Sequence, residues 1–382
     1  LAYSNLFRSG FSWLLMVIPL CVCVSVAASV GDTHCGALGI GAAGVVPGIS
    51  AAGLMALCGG CGLVQQAVLP TDEALKIYYS HNYREDYKST HQPKAKYVYR
   101  AGQSARDRLA FIERAGINPQ DKRLLDIGAG GGEFCYLAGR AGFDAAGIEP
   151  HMGYSDYARE QYDVAVRTCG IEELGHSEVD VVTMFHVFEH LAHPTDAVKK
   201  IWSVLSEQGN LVIEVPNIHQ SDASPHNIYF KAHLFYYSRF SLMAAVSQYF
   251  ELVALEDNNN LFMAFRKRAQ PLQSMVLPSA AQIMQTQIRL NQKGWTEYLV
   301  EGGGWKKVFL RAAKTVGESR LGKLPARGIL DKVWEKRQKQ KQPADAGCSC
   351  CAKAGIRQFR PALSRSHQPP RRCAMPQPRS TR

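Results

Sequence analysis

The segment LLDIGAGGGEFCYLAGRAGFDAAGIEP, residues 124–150, constrains the fold of this chain more than any other. A short apolar run ends at Ile127, and Gly128, Gly130, Gly131 and Gly132 follow before a helical pattern opens near Glu133. Glycine at such a turn permits positive φ and lets a ligand approach the backbone where a Cβ would collide. A loop just beyond the carboxyl end of a parallel strand is where open α/β sheets bind ligands.

The same segment starts a strand–helix alternation, the mark of a parallel sheet covered by helices. Strands are expected at Arg123–Ile127, Asp144–Ile148, Val164–Thr168, Val179–Phe185 and Asn210–Val215, with helices over Glu133–Ala141, Tyr154–Gln161 and Pro194–Leu205. A helix over 95–116 carries Arg100, Arg106, Arg108 and Arg114 ahead of them. A further helix over Ser238–Gln248 leads to two strands, Phe250–Glu256 and Leu261–Arg266, around Asn258-Asn259-Asn260. Asparagine tolerates positive φ, so these two strands read as a closing β-hairpin. The expected fold class is α/β: a Rossmann-like, seven-stranded sheet of five parallel strands plus the hairpin, flanked by helices.

The loop chemistry narrows the ligand. A dinucleotide fingerprint runs G-x-G-x-x-G, but its third glycine is Glu133 here. The spacing is instead D-x-G-x-G-x-G, through Asp126, Gly128, Gly130 and Gly132. An acid at the turn disfavours pyrophosphate and suits a ligand carrying an amine and a sulfonium. Glu149 ends the next strand, where an acid can accept from two vicinal ribose hydroxyls. The loop therefore expects a nucleoside with ribose and no phosphate. On these residues, 100–268 resemble the class I methyltransferases dependent on S-adenosylmethionine (SAM). That resemblance implies SAM as cofactor, with Asp126, Gly128, Gly130 and Gly132 on its methionine part and Glu149 on its ribose. It places Gly170, Ile171 and Glu172 beside the adenine, and Phe185 in the same cofactor-binding set.

A second segment, VDVVTMFHVFEHLAHPTDAV, runs from Val179 to Val198. In the methyltransferases it resembles, this loop faces the transferred methyl group. Methyl transfer asks for alignment of the nucleophile and removal of its proton. His190, His186 and Glu189 are the candidate catalytic residues, an imidazole being a suitable base near neutral pH. Two other readings stand beside this one: the Glu-His pair only positions the loop, or Glu189, His190 and His193 bind a divalent ion. The insertion after Pro216-Asn217 carries His226, Tyr229, Phe230, His233, Phe235 and Tyr236. Aromatic side chains there can close an acceptor pocket, and His233 and Tyr236 are candidate substrate contacts. Phe230 and Phe235 read equally well as core.

The N-terminal part is less regular. Cys58-x-x-Cys61 followed by Gly62-Leu63-Val64 resembles the second half of the zinc ribbon that precedes the catalytic domain in sugar C-methyltransferases. Cys58 and Cys61 are thus candidate metal ligands. A closed zinc site needs four, and the expected first C-x-x-C is missing, with His34 and Cys35 the nearest candidates upstream, so a damaged ribbon without zinc is the competing reading. The apolar run Phe11–Val30 reads as a signal peptide, as a membrane anchor, or as sequence before a mis-set start, and residues 1–57 are assigned to an uncertain leader.

With 46% hydrophobic and 20% charged residues the chain is not wholly disordered, and 11 cysteines, an odd number with no repeated spacing, do not form a secreted disulfide framework. Residues 305–382 hold 20 Lys and Arg against 4 Asp and Glu, so the net charge of +11 belongs to the tail and the remainder is acidic. Residues 269–337 are expected to form a helical extension and 338–382 a basic disordered tail. The expected function is SAM-dependent methylation of a small-molecule acceptor at oxygen or carbon, such as a sugar or glycan precursor, in the cytoplasm. Its rivals are an RNA methyltransferase anchored by the basic tail, a non-catalytic SAM-binding scaffold, and an enzyme held at a membrane by residues 11–30.

Overall fold

A computed structural model of the chain describes residues 55–78, 93–175, 178–224, 227–230, 232–307 and 324–341. The apolar run 11–30, His34, Cys35, His226 and the tail beyond 341 lie outside them. Strands β3 (Arg123–Ile127), β4 (Asp144–Ile148), β5 (Ala165–Arg167), β6 (Val179–Phe185), β7 (Leu205–Pro216), β9 (Phe250–Asp257) and β10 (Asn260–Lys267) form one sheet in the order β5-β4-β3-β6-β7-β10-β9. The first five are parallel, and β10 is antiparallel to both β7 and β9. This is the expected architecture.

Parallel strands buried on both faces read as unbroken apolar runs, and adjacent residues here serve opposite layers. A short helix, α1 (Asp72–Ile77), precedes the domain. Leu124, Val181 and Val212 pack beneath helices α2 (Ala95–Arg114) and α3 (Glu133–Ala141). Their neighbours Leu125, Val182, Leu211 and Ile213 face the other way, with Val198 and Ile201 of α5 (Pro194–Val204) and Leu242 and Val246 of α6 (Arg239–Val246). Helix α4 (Met152–Tyr162) connects β4 to β5.

The chain runs outward from β3 through β4 and β5, then returns to place β6 on the opposite side of β3. Strand order reverses between β3 and β6, and such a switch point leaves a crevice at the carboxyl ends of the strands. A second, antiparallel sheet of β1 (Met55–Leu57), β2 (Val64–Gln66) and β8 (Phe235–Tyr236) adjoins that end. The hairpin of β1 and β2 holds Cys58 and Cys61 at its turn, with Cys61 N donating to Cys58 Sγ at 3.3 Å.

Several boundaries differ from the sequence reading. The third strand is only Ala165–Arg167, and the fifth begins five residues early, at Leu205. Met55–Leu57 belong to the hairpin and not to a leader. The extension contains α7 (Ala280–Gln292) and α8 (Trp295–Val300), and a last helix, α9 (Ala326–Lys341), crosses the expected start of the disordered tail. That helix docks on α2: Ile329, Leu330 and Val333 are buried there, and Arg337 donates to Glu113 Oε1 at 2.5 Å. Its own composition is strongly polar, so only the packing against α2 reveals its apolar side. No helix of the described residues is long and apolar enough to cross a membrane.

Candidate active site

The glycine loop after β3 is left-handed at three positions, with φ of 73° at Gly128, 58° at Gly130 and 82° at Gly132. A Cβ on Gly128 would run into Val187 Cγ2, and one on Gly132 would meet Ala158 Cβ at 2.6 Å. Side chains are excluded there by conformation and by space. Glu149, buried at the end of β4, ties the loop in place: its carboxylate accepts from Gly130 N at 2.9 Å and from His151 N at 3.2 Å. A tight, glycine-rich loop with a carboxylate fixed at its mouth fits a ribose-bearing nucleoside, and Glu133 at the start of α3 works against a phosphate.

Asp126 does something other than meet a ligand's charge. Its side chain is buried, and Thr183 of the adjacent strand donates to Oδ1 at 2.6 Å. Burial pushes its carboxyl up to about 7, against the Thr183 hydrogen bond and nearby Arg108. It braces β3 against β6 beneath the loop. Gly170, Ile171 and Glu172 lie at a one-turn 3-10 helix, Ile171–Glu173, with Ile171 buried in the core. Phe185 is buried against Phe134, with ring centroids 4.7 Å apart, and the Arg108 guanidinium covers its ring at 4.3 Å. Its ring is thus held from two sides at the end of β6.

Past β6 the chain reaches His186, a non-glycine residue at φ 57°. The ring lies between two carboxylates: Nδ1 is 3.2 Å from Glu189 Oε1 and Nε2 is 3.2 Å from Glu214 Oε1. Burial opposes charge on the ring, but Glu214 and Glu189 outweigh it and push His186 up to about 10. Glu214 is also held by Arg108 Nε at 2.6 Å and Asn260 Nδ2 at 2.5 Å. Burial works against its ionisation, yet Arg108 and His186 hold it well below the usual carboxylate range. An imidazole already protonated cannot take a proton, so the expectation that His186 is a base is corrected: it is a fixed cation.

Glu189 and His190 sit on a single 3-10 turn, Phe188–His190, and both are buried. Nδ1 of His190 is 2.8 Å from the Ala232 carbonyl. A carbonyl only accepts, so Nδ1 is the donor in this contact. His233 stands beside it, ring centroids 4.8 Å apart, with Nε2 3.9 Å from Glu189 Oε1. Burial pushes His233 down to about 3, so its ring is neutral near pH 7. The insertion bearing His233 is anchored from two sides. Leu234 N donates to the Glu189 carbonyl at 3.0 Å, and Gln66 of β2 donates to the His233 carbonyl at 2.8 Å.

Two other expectations change. His193 turns away from Glu189 and His190 to meet Asp72 at 3.0 Å, and His233 takes the place it was assigned. Tyr236 is buried, and its hydroxyl closes a turn on the Phe230 backbone, donating to O at 2.8 Å and accepting from N at 3.0 Å, so it shapes the insertion. Among the described residues, no third histidine, cysteine or carboxylate joins Cys58 and Cys61 in a metal-binding group. Arg108, Glu214 and Asn260 went unremarked as site residues in the sequence. An acid inside the apolar strand NLVIEVP was the available signal for Glu214.

Residues 96–255 match the family model of a methyltransferase domain. Among curated proteins, the chain is 27% identical over 118 residues to a ubiquinone biosynthesis O-methyltransferase of Alkalilimnicola ehrlichii, covering 29% of this chain and 48% of that one. It is 29% identical over 119 residues to the protein of the same name from Acinetobacter baylyi, covering 29% and 50%. The chain thus spans about half the length of these relatives. Among solved structures, a magnesium protoporphyrin IX methyltransferase of Synechocystis with bound S-adenosylhomocysteine superposes with a TM-score of 0.41 at 11% identity, covering 52% of this chain and 100% of that one.

Proposed function

We propose that this chain, whose residues 96–255 match a methyltransferase domain, is of the class I, SAM-dependent kind and methylates a small-molecule acceptor at an oxygen atom. The observation that carries the reading is the apposition of two loops at the switch point. The glycine loop, tied to Glu149, packs on Val187, and the next turn presents His190 beside His233.

When bound, SAM supplies a methyl group on a sulfonium, which leaves alignment and proton removal to the protein. Gly128, Gly130, Gly132 and Glu149 would hold the cofactor, with Ile171 and its neighbours beside the adenine. Fixed as a cation, His186 keeps Glu189 and Glu214 in register. The rings of His190 and His233 are the groups able to engage an acceptor hydroxyl. Oxygen as acceptor atom is supported by the O-methyltransferase names of the curated relatives. The sugar reading rested on the half ribbon at Cys58 and Cys61, which stays a half ribbon among the described residues.

Calorimetric titration of the full chain with S-adenosylhomocysteine, with NAD as control, tests the cofactor. Micromolar binding of the first and none of the second is expected. Binding of neither removes the proposal, and binding without turnover on any hydroxylated acceptor favours a scaffold.

A further inference from the structure

Most large apolar side chains that stand exposed among the described residues fall within one stretch, 272–305. The two helices of that stretch are built inside out. On α7 the buried residues are Thr286, whose Oγ1 is 3.0 Å from His219 Nε2, and Leu290, which packs on the small sheet with Leu57, Val64 and Tyr236. Met284 and Ile288 each lie two residues before one of these, which puts them roughly on the opposite side of a helix with 3.6 residues per turn, and both are exposed. On α8 the buried residue is an acid, Glu297, which accepts from Arg289 and stands 3.8 Å from Lys293 Nζ. Leu299, again two residues away, is exposed, Val300 is 73% exposed, and Trp305 just beyond the helix is 57% exposed. An ordinary surface helix buries its apolar stripe and wets its polar one. Here polar groups are turned inward and apolar ones outward, and an exposed apolar face rimmed by polar residues marks an interaction surface.

We propose that α7, α8 and Trp305 form a surface that docks on an anionic lipid bilayer, lying in its headgroup region without crossing it. Charge selects this occupant. Lys306 and Lys307 follow Trp305 directly, and residues 305–382 hold 20 Lys and Arg against 4 Asp and Glu. An apolar face next to a polybasic segment is the pairing of two signals that attaches a protein firmly to anionic membranes. The aromatic side chains agree with it. Tryptophan is enriched at bilayer interfaces, Lys306 Nζ lies 5.1 Å from the Trp305 ring centroid, and Lys307 Nζ lies 5.5 Å from that of Tyr298. A second copy would bring two basic surfaces of like sign together. A nucleic acid would meet the charge and leave Met284, Ile288, Leu299 and Val300 in water.

The surface is tied to the carboxyl end of the main sheet. Arg289 Nη2 donates to the His219 carbonyl at 2.9 Å, and Lys293 donates to the Gln220 carbonyl, both just past the end of β7. The loop leaving β7 is therefore carried with the docking surface, whatever the crevice binds.

The test uses the full chain carrying Trp13→Phe, which removes the tryptophan of the apolar run 11–30. It is mixed with vesicles of phosphatidylcholine and phosphatidylglycerol, with and without brominated acyl chains. Sedimentation reads attachment, and tryptophan fluorescence reads which surface touches lipid. Attachment to the anionic vesicles is expected, weakening at least about tenfold as ionic strength rises from about 0.05 M to about 0.5 M. Brominated chains should quench the fluorescence, and adding Trp295→Phe and Trp305→Phe should abolish that quenching with the melting temperature unchanged. No attachment overturns the proposal. Attachment without quenching, or quenching that survives the two further substitutions, places the contact elsewhere and overturns it too. Binding of a single-stranded oligonucleotide without lipid quenching would assign the surface to nucleic acid. A dimer in sedimentation velocity that Leu299→Ser dissociates, again without quenching, would assign it to a second copy, and either result replaces the bilayer.

Discussion

Gly128 and Val187 are in contact across the switch point, and the space a Gly128 Cβ would need is filled by Val187 Cγ2. The cofactor loop and the histidine turn are therefore one packed unit. Gly128→Ala meets both the clash and the 73° φ. It should destabilise the protein by about 1–3 kcal/mol and weaken S-adenosylhomocysteine binding, read by thermal melting and calorimetry. Unchanged affinity would mean that the loop does not carry the nucleoside.

Glu149 should matter to the same ligand by a different route. Glu149→Ala removes the anchor on Gly130 together with the carboxylate at the loop mouth. A loss of roughly 1.5–3 kcal/mol in binding is expected, the scale of hydrogen bonds to charged groups. Calorimetry at fixed pH checks it, and parental affinity would place the ribose elsewhere.

Asp126 makes stability depend on pH. Burial raises its folded value to about 7 from an ordinary 3.8, so folding retains a proton that the unfolded chain has released. The contribution is complete below about pH 4 and is lost as pH rises through 7. Asp126→Asn keeps an acceptor for Thr183 and never ionises. Its melting temperature should fall less than that of the parent between pH 5 and pH 8. Equal falls would show that Asp126 is not the group responsible.

His186 is a structural cation. His186→Ala leaves the carboxylates of Glu189 and Glu214 without the ring they share. Breaking a buried ion pair costs about 3–5 kcal/mol, but the imidazole is 38% exposed and solvent screens part of this. A loss of roughly 1–3 kcal/mol in denaturant unfolding is expected on that discount. A fully stable variant would contradict the network.

The last helix belongs to the core beside α2. Leu330 is fully buried, and its Cδ2 lies 2.7 Å from where a Cβ on Gly102 would sit. Leu330→Ala should cost about 2–5 kcal/mol, leaving nucleoside affinity intact below the melting transition. Urea unfolding with calorimetry separates the two effects.

What the chain's own residues determined was local. Asp126 through Gly132, with the apolar run before them and the helical period after, specified a strand, a tight turn and a helix in that order. Similar runs repeated along the chain required a parallel sheet with both faces covered, and β3, β6 and α3 lie where that pattern put them. The tertiary structure decided everything that depended on distant partners. His186 reads as a base until Glu214, 28 residues away, closes on its other nitrogen and makes it a cation. His193 is near Glu189 in sequence yet pairs with Asp72, while His233 arrives from an insertion held by Gln66. The polar composition of Ala326–Lys341 concealed a helix that becomes stable by burying Ile329, Leu330 and Val333 against α2. Periodicity is carried by neighbours along the chain, whereas the charge on a ring and the face a helix buries are set by what folding brings beside them.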